Sequence, residues 1–292
     1  MWFLFYYLCI WYYRKMKRFI LLLILCLCIF PLISSAEDAT PPIRILIVPG
    51  HDNEVYGAEY GNIKEADMNL VLATQIYNIL KKDKRLKLYI TRDSKDFVRE
   101  FKDYFVNQKD KIIAFKTKAK KDTQVKVDKG TFVYKKGVGH NQVNQETAIG
   151  LYGINMWANE NKIDLVINVH FNDITREDKW SIGTTKGFAI YVPGSQMANN
   201  VESTKLGESI KKELLKKYSV SNLPVEKKGV IADQTLIALG ASNTLVDGVK
   251  SVLIEYGYIY QKIFRNSATR HQAYKDMALL TSNGILNYLF KK

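Results

Sequence analysis

The sequence predicts an α/β fold: one twisted, mostly parallel sheet flanked by helices, interrupted by a lysine-rich insertion. Three observations predict it. Short apolar runs alternate with longer segments of helical period. Several of those runs close on Pro-Gly or on a polar residue, as strands entering a loop do. The chain has 292 residues, 47% hydrophobic and 25% charged, which is enough for a full core and excludes a fibrous or wholly disordered protein.

In order, Ile43–Val48 reads as a buried strand stopped by Pro49-Gly50. Residues 64–82 read as a helix, because Met68, Leu72, Ile76 and Leu80 recur at four-residue steps and Ile79 joins the same stripe. Leu86–Ile90 is a second strand. Residues 147–161 are helical, and Leu165–Val169 is a clear strand. Phe188–Val192 is another, closed by Pro193-Gly194. Asn199–Lys217 is amphipathic, with Leu206, Ile210 and Leu214 on one face. Ser251–Ile254 is a short strand, and Thr269–Phe290 a closing helix. Residues 94–147 break the rhythm. They are rich in lysine and lack an apolar stripe after Phe115, so they read as an insertion, helical near 97–118 and a hairpin near 125–135.

The first 36 residues contain no acid. From Met16 they run Met-Lys-Arg, an apolar segment (Phe19–Ile33), then Ser34-Ser35-Ala36, the order of a signal peptide. The apolar segment is shorter than the roughly 18 residues of a membrane span. The expectation is a cleaved leader over residues 1–36, with Met16 as the true start, then a linker over 37–42. An uncleaved N-terminal anchor is the alternative. Either way the rest of the protein is expected outside the cytoplasm: secreted, periplasmic or cell-wall associated. Cys9, Cys26 and Cys28 all lie in this leader, so the mature chain has neither disulfides nor thiolate chemistry. Four of the 43 basic residues and none of the 29 acids lie there too, which leaves a mature charge of +10. That balance favours polyanions, and export makes nucleic acid an unexpected partner.

Four polar residues stand where such a sheet concentrates chemistry. His51 follows the first strand and its Pro-Gly turn, His170 follows Leu165–Val169, and Glu255 follows Ser251–Ile254. The carboxyl ends of parallel strands share one rim. Glu65 opens the helix after the His51 loop and reaches the same rim. Singly, each has an ordinary reading: a hydrogen-bonded histidine, a first-turn helix acid, a strand-end surface acid. Together, two imidazoles and a carboxylate suit zinc, whose catalytic sites keep a fourth position for water. The ion lowers the pKa of that water to about 7, and the spare carboxylate can take and return its proton. His140 and His271 are left outside the set.

These residues resemble the zinc-dependent N-acetylmuramoyl-L-alanine amidases with a GH…E…H…E pattern. The resemblance is carried by Val48-Pro49-Gly50-His51, by Glu65 with Asn69 one turn on, and by Thr91-Arg92. It continues through Asn168-Val169-His170-Phe171-Asn172, Gly187–Tyr191, Ser251–Ile259 and the closing helix. It spans 43–290 apart from 94–147. It implies a catalytic domain over 43–292, with His51, Glu65 and His170 as ligands to one zinc ion. It also implies Glu255 as the general base and acid, and Asn172 near the substrate. The implied reaction is hydrolysis of the amide between the lactyl group of N-acetylmuramic acid and L-alanine in peptidoglycan, with zinc-bound water as nucleophile. Two departures stand out: the family's basic residue four positions before an Ala-Asn pair is Ile154 here, ahead of Ala158-Asn159, and the insertion is unusual. That insertion is expected either to be functional, by covering the cleft, contacting anionic wall polymers or receiving an activator protein, or to be a mobile, solvated loop. A different exported zinc peptidase or deacylase, or a wall-binding protein without turnover, are the competing readings.

Overall fold

The computed structural model describes residues 6–7, 10–17, 41–93, 96–137 and 143–291. The chain divides into two units, 1–41 and 42–292. In the first, residues 10–17 are helical. The apolar stretch, the Ser-Ser-Ala end of the expected leader and His140 lie outside the described residues. Among the described residues no helix is long and apolar enough to cross a membrane.

The second unit is built on strand β1 (Ile43–Pro49), which has β4 (Leu86–Ile90) on one side and β5 (Leu165–Asn172) on the other, both parallel to it. β8 (Lys250–Tyr258) continues the parallel set beside β5. Being covered on both faces, these strands are apolar at successive positions rather than alternating. Ile45, Leu46 and Ile47 are all fully buried, though neighbours point to opposite faces. β6 (Ala189–Pro193) runs antiparallel to β8 and carries β7 (Val230–Asp233) parallel to itself, giving a six-stranded sheet in the order β4-β1-β5-β8-β6-β7. A two-stranded hairpin, β2 (Glu59–Tyr60) and β3 (Ile63–Lys64), stands apart.

One face of the sheet is covered by α1 (Glu65–Leu80), α5 (Asn200–Leu214) and α7 (Ser267–Phe290), the last preceded by the single turn α6 (Lys262–Arg265). Met68, Leu72 and Ile76 of α1, Leu206 and Ile210 of α5, and Met277 of α7 close over Ile45, Ile47, Ile167 and Ile254. The other face is covered by α4 (Gln145–Glu160), whose N-terminus is capped by the Asn144 side chain accepting from the Thr147 N–H. Here Leu46, Val48 and Val166 meet Ile154 and Trp157.

The lysine-rich segment departs from its reading. It forms α2 (Arg99–Asn107) and α3 (Lys109–Asp128). The expected hairpin at 125–135 does not form, because α3 runs through to Asp128. Residues 131–137 then run as an irregular strap pinned by side chains. Val133 exchanges two bonds of 2.9 Å with the Gln196 amide, and its carbonyl also accepts from Gln234 Nε2 at 3.2 Å. α3 does have a buried stripe, Ile112, Ala119 and Thr123, but after Ile112 it consists of a small and a polar residue that do not read as one. Two further differences matter to the site. β5 continues to Asn172 and β8 to Tyr258, so His170 and Glu255 lie inside their strands rather than beyond them.

Phe101 ties α2 into the core. It is fully buried, with its ring centroid 4.7 Å from that of Trp157. Phe101→Ala is therefore expected to lower the unfolding free energy by about 3–5 kcal/mol in chemical denaturation. A loss below about 0.5 kcal/mol, the level of a surface change, would show that this segment is not part of the folded core.

Candidate metal centre

β1 stops at Pro49, and the Gly50 N–H still pairs with the Val169 carbonyl at 2.9 Å. The chain then turns sharply: His51 sits at φ +60°, a left-handed conformation that costs a non-glycine residue about 1–2 kcal/mol. A Cβ on Gly50 would lie 2.1 Å from the His170 ring, so only glycine lets that imidazole rest on the turn. The loop closes through Asp52, whose Oδ1 accepts from the N–H groups of Glu54 and Val55. It returns at Gly57, φ +75°, directly over Glu65 and His51.

Glu65 is the first residue of α1 and is 4% exposed. Its two oxygens face different histidines. Oε2 lies 3.2 Å from His51 Nε2 and accepts from the Ala58 N–H at 2.8 Å. Oε1 lies 3.0 Å from His170 Nδ1 and accepts from the Phe171 N–H at 3.2 Å. Asn69, one turn along α1, donates to Glu65 Oε1 (3.3 Å) and to the Gly50 carbonyl (3.0 Å), tying the helix to the turn. Arg92, also buried, donates to the Ala66 carbonyl at 2.7 Å and braces the same corner. Burial alone would raise the Glu65 carboxyl, but the charge and hydrogen bonds of His51 and His170 outweigh it and hold it far below the usual carboxylate range. Burial would lower the His51 imidazole, and the Glu65 charge reverses that, leaving it raised.

The donor set fits a divalent cation. One ligand atom from each of His51, Glu65 and His170 can be chosen so that all lie within 4.8 Å of one another. Around a tetrahedral ion with bonds of 2.0–2.1 Å, neighbouring ligand atoms are about 3.3 Å apart. The nitrogen–oxygen separations here are 3.2 and 3.0 Å, each to a different oxygen of Glu65. Two imidazole nitrogens and a carboxylate oxygen are ligands zinc takes readily.

Glu255 pairs in register with His170 across the parallel β5–β8 ladder, so both side chains leave the same face of the sheet. It is 5% exposed. Burial, then the charges of Glu65 and Glu226, push its carboxyl well above the ordinary value. Asn172 is at the end of β5, buried, accepting from the Asp173 N–H through Oδ1 and donating from Nδ2 to Glu226 Oε1 at 3.4 Å. His271 is elsewhere: exposed on α7, with its Nδ1 on the Ser267 carbonyl at 2.7 Å. Glu226 is a residue that sequence reading did not single out. It belongs to no recognisable pattern and reaches the site only through long-range contacts.

Gly57 gives the arrangement a test. A Cβ there would come 2.4 Å from Glu65 Oε2 and 2.5 Å from His51 Nε2. Gly61, at φ +60° in the adjacent hairpin, has nothing within 4 Å of its own Cβ position. Gly57→Ala is expected to weaken zinc binding about 10- to 100-fold, the range for disturbing groups that hold ligands in place, while Gly61→Ala leaves it unchanged. Zinc titration with a competing chelator reads both. Equal affinities for the two variants would contradict a metal centre under Gly57.

The model of the family described as N-acetylmuramoyl-L-alanine amidase matches residues 45–287. No curated protein sequence matches the chain. Among solved structures, the N-acetylmuramoyl-L-alanine amidase from Clostridium difficile 630 superposes with a TM-score of 0.53 at 17% identity, covering 87% of this chain and 100% of that one. The CwlD amidase from Clostridioides difficile, in complex with the GerS lipoprotein, gives 0.53 at 15% identity, covering 85% and 98%. Ami1, the N-acetylmuramyl-L-alanine amidase from Mycobacterium smegmatis, gives 0.54 at 11% identity, covering 86% and 99%. At such identities the structural likeness establishes the fold, while the family match extends over most of the sequence. The chain belongs to the N-acetylmuramoyl-L-alanine amidase family, Amidase_3.

Proposed function

We propose that this chain is an exported, zinc-dependent peptidoglycan amidase. It would cleave the amide between the lactyl group of N-acetylmuramic acid and L-alanine. The observation that supports this most is the meeting of His51, Glu65 and His170, with Glu255 in register beside His170. His51, Glu65 and His170 would hold the cation, and residues 43–292 would form the catalytic domain. When bound, zinc supplies Lewis acidity at the scissile carbonyl. Glu255 moves the proton: its carboxylate takes one from the attacking water and delivers it to the departing L-alanine nitrogen. Burial and neighbouring negative charge raise the Glu255 carboxyl, which favours the return of the proton to the leaving nitrogen. Asn172, buried at the end of β5, would lie near the substrate.

The partner is peptidoglycan. Lys111, Lys118, Lys120 and Lys121 are exposed on α3, and with a mature charge of +10 they favour anionic wall polymers as an additional contact. An activator protein on 94–147 is the other reading of that surface, and the solved CwlD amidase is in complex with a protein partner, the GerS lipoprotein. The leader read from Met16 to Ala36 supports a location outside the cytoplasm.

Intact sacculi digested with the zinc-loaded protein and resolved by mass spectrometry test the reaction. Free stem peptides beginning with L-alanine, beside uncut glycan, are expected. Cuts within the stem would indicate a peptidase instead, and loss of acyl groups a deacylase. Glu255→Gln is expected to lower kcat by about 10²- to 10⁴-fold with zinc content unchanged. His51→Ala is expected to lower zinc content itself. Full turnover by the Glu255→Gln protein would remove Glu255 from the mechanism.

A further inference from the structure

Glu226 ends a short 3-10 turn, Pro224–Glu226, in the connection between α5 and β7. It is 1% exposed. Its oxygens receive three donors. Oε1 accepts from the Tyr191 hydroxyl at 2.6 Å and from Asn172 Nδ2 at 3.4 Å, and Oε2 accepts from the Tyr258 hydroxyl at 2.7 Å. Ser221 Oγ, 3.3 Å from the Tyr258 hydroxyl, extends the group. Among the described residues, no Lys, Arg or His pairs with Glu226.

The three donors come from three adjacent strands: Asn172 from β5, Tyr258 from β8 and Tyr191 from β6. β5 and β8 slip register between His170 and Asn172, so that Asn172 stands opposite Tyr258. On the other side, Ala189 is the β6 partner of Glu255, and Tyr191 lies two residues along on the same face. The Glu226 carboxylate therefore joins the three strands beside Glu255, and its charge acts on Glu255. Removing a carboxylate from water is costly, and neutral donors only partly offset that cost. A glutamine or an apolar side chain would fill the same space at lower cost. Glu226 also fixes the Asn172 amide: Asp173 N–H holds Oδ1 and Glu226 holds Nδ2, leaving one orientation.

We infer that Glu226 is a positioning residue for the reaction, clamping Asn172 and the Tyr191 and Tyr258 hydroxyls around Glu255 without contributing to metal binding. This rests on the reading of Glu255 as the proton-transfer group. It assigns a role to a residue that touches neither the ligand set nor the expected substrate.

The test compares the full, zinc-loaded chain with Glu226→Gln, which keeps the shape and removes the charge. The tyrosine hydroxyls can turn to accept from the new amide, so folding is expected to survive. Two readouts are taken. The first is hydrogen exchange of the Asn172 side-chain amide by NMR, which needs no turnover; exchange at least tenfold faster in the variant is expected. The second is turnover: kcat is expected to fall about tenfold, with KM within twofold and zinc content unchanged. Combining Glu226→Gln with Asn172→Ala is expected to be no worse than Asn172→Ala alone, as for two residues acting as one unit. Unchanged Asn172 exchange, unchanged kcat, or multiplying effects in the double variant would each overturn the inference. A wild-type chain that releases no stem peptide would remove the amidase reading, and the exchange measurement would still decide the clamp.

Discussion

A single buried carboxylate, Glu65, touches both histidines of the site, one with each oxygen. It is nearly sealed from water, and an isolated charge there would be costly. Everything around it offsets that cost. Two backbone N–H groups, the Asn69 amide and two imidazoles converge on it. The turn at Gly50, the left-handed backbone of His51 and the bare Cα of Gly57 exist where they do because two rings and a carboxylate must share a few ångströms. A dication in the middle would balance the charge directly.

The sheet supplies the rest. Parallel order in β1, β5 and β8 brings the ends of three strands to one rim, and in-register pairing puts Glu255 next to His170 with no loop between them. Strands position side chains more tightly than loops do. The only loop-borne member, His51, is tied back by its bond to Glu65 and by the Asp52 turn. The connection before β7 brings Glu226 to the hydroxyls of Tyr191 on β6 and Tyr258 on β8 and to Asn172 on β5. The charges of Glu65 and Glu226 both act on Glu255 and, with its burial, raise its carboxyl.

Much of this was legible in the sequence. Ile43–Val48 and Leu165–Val169 are largely apolar runs, which only strands buried on both faces need. The four-residue stripe of α1 matches its buried side. His51, Glu65 and His170 were legible because the histidines follow apolar runs and Glu65 opens a helix. The parts that were not legible share a cause: their stabilising contacts are distant in sequence or lack an apolar signal. α3 buries alanine and threonine, and the 131–137 strap is held by glutamine side chains. The end of β8 is hidden because Glu255 and Gly257 interrupt its apolar run while staying buried. Glu226 meets Tyr191, Tyr258 and Asn172 across 35, 32 and 54 residues, a relation no local pattern carries.

The central claim is that two imidazoles and one carboxylate hold a single divalent ion. X-ray absorption at the zinc edge, on the full chain carrying one zinc, measures this most directly. The expected spectrum has two imidazole nitrogens and carboxylate or water oxygens at about 2.0–2.2 Å, with one imidazole lost in His51→Ala and one in His170→Ala. An imidazole count that stays the same in both variants would place the ion elsewhere and contradict the claim.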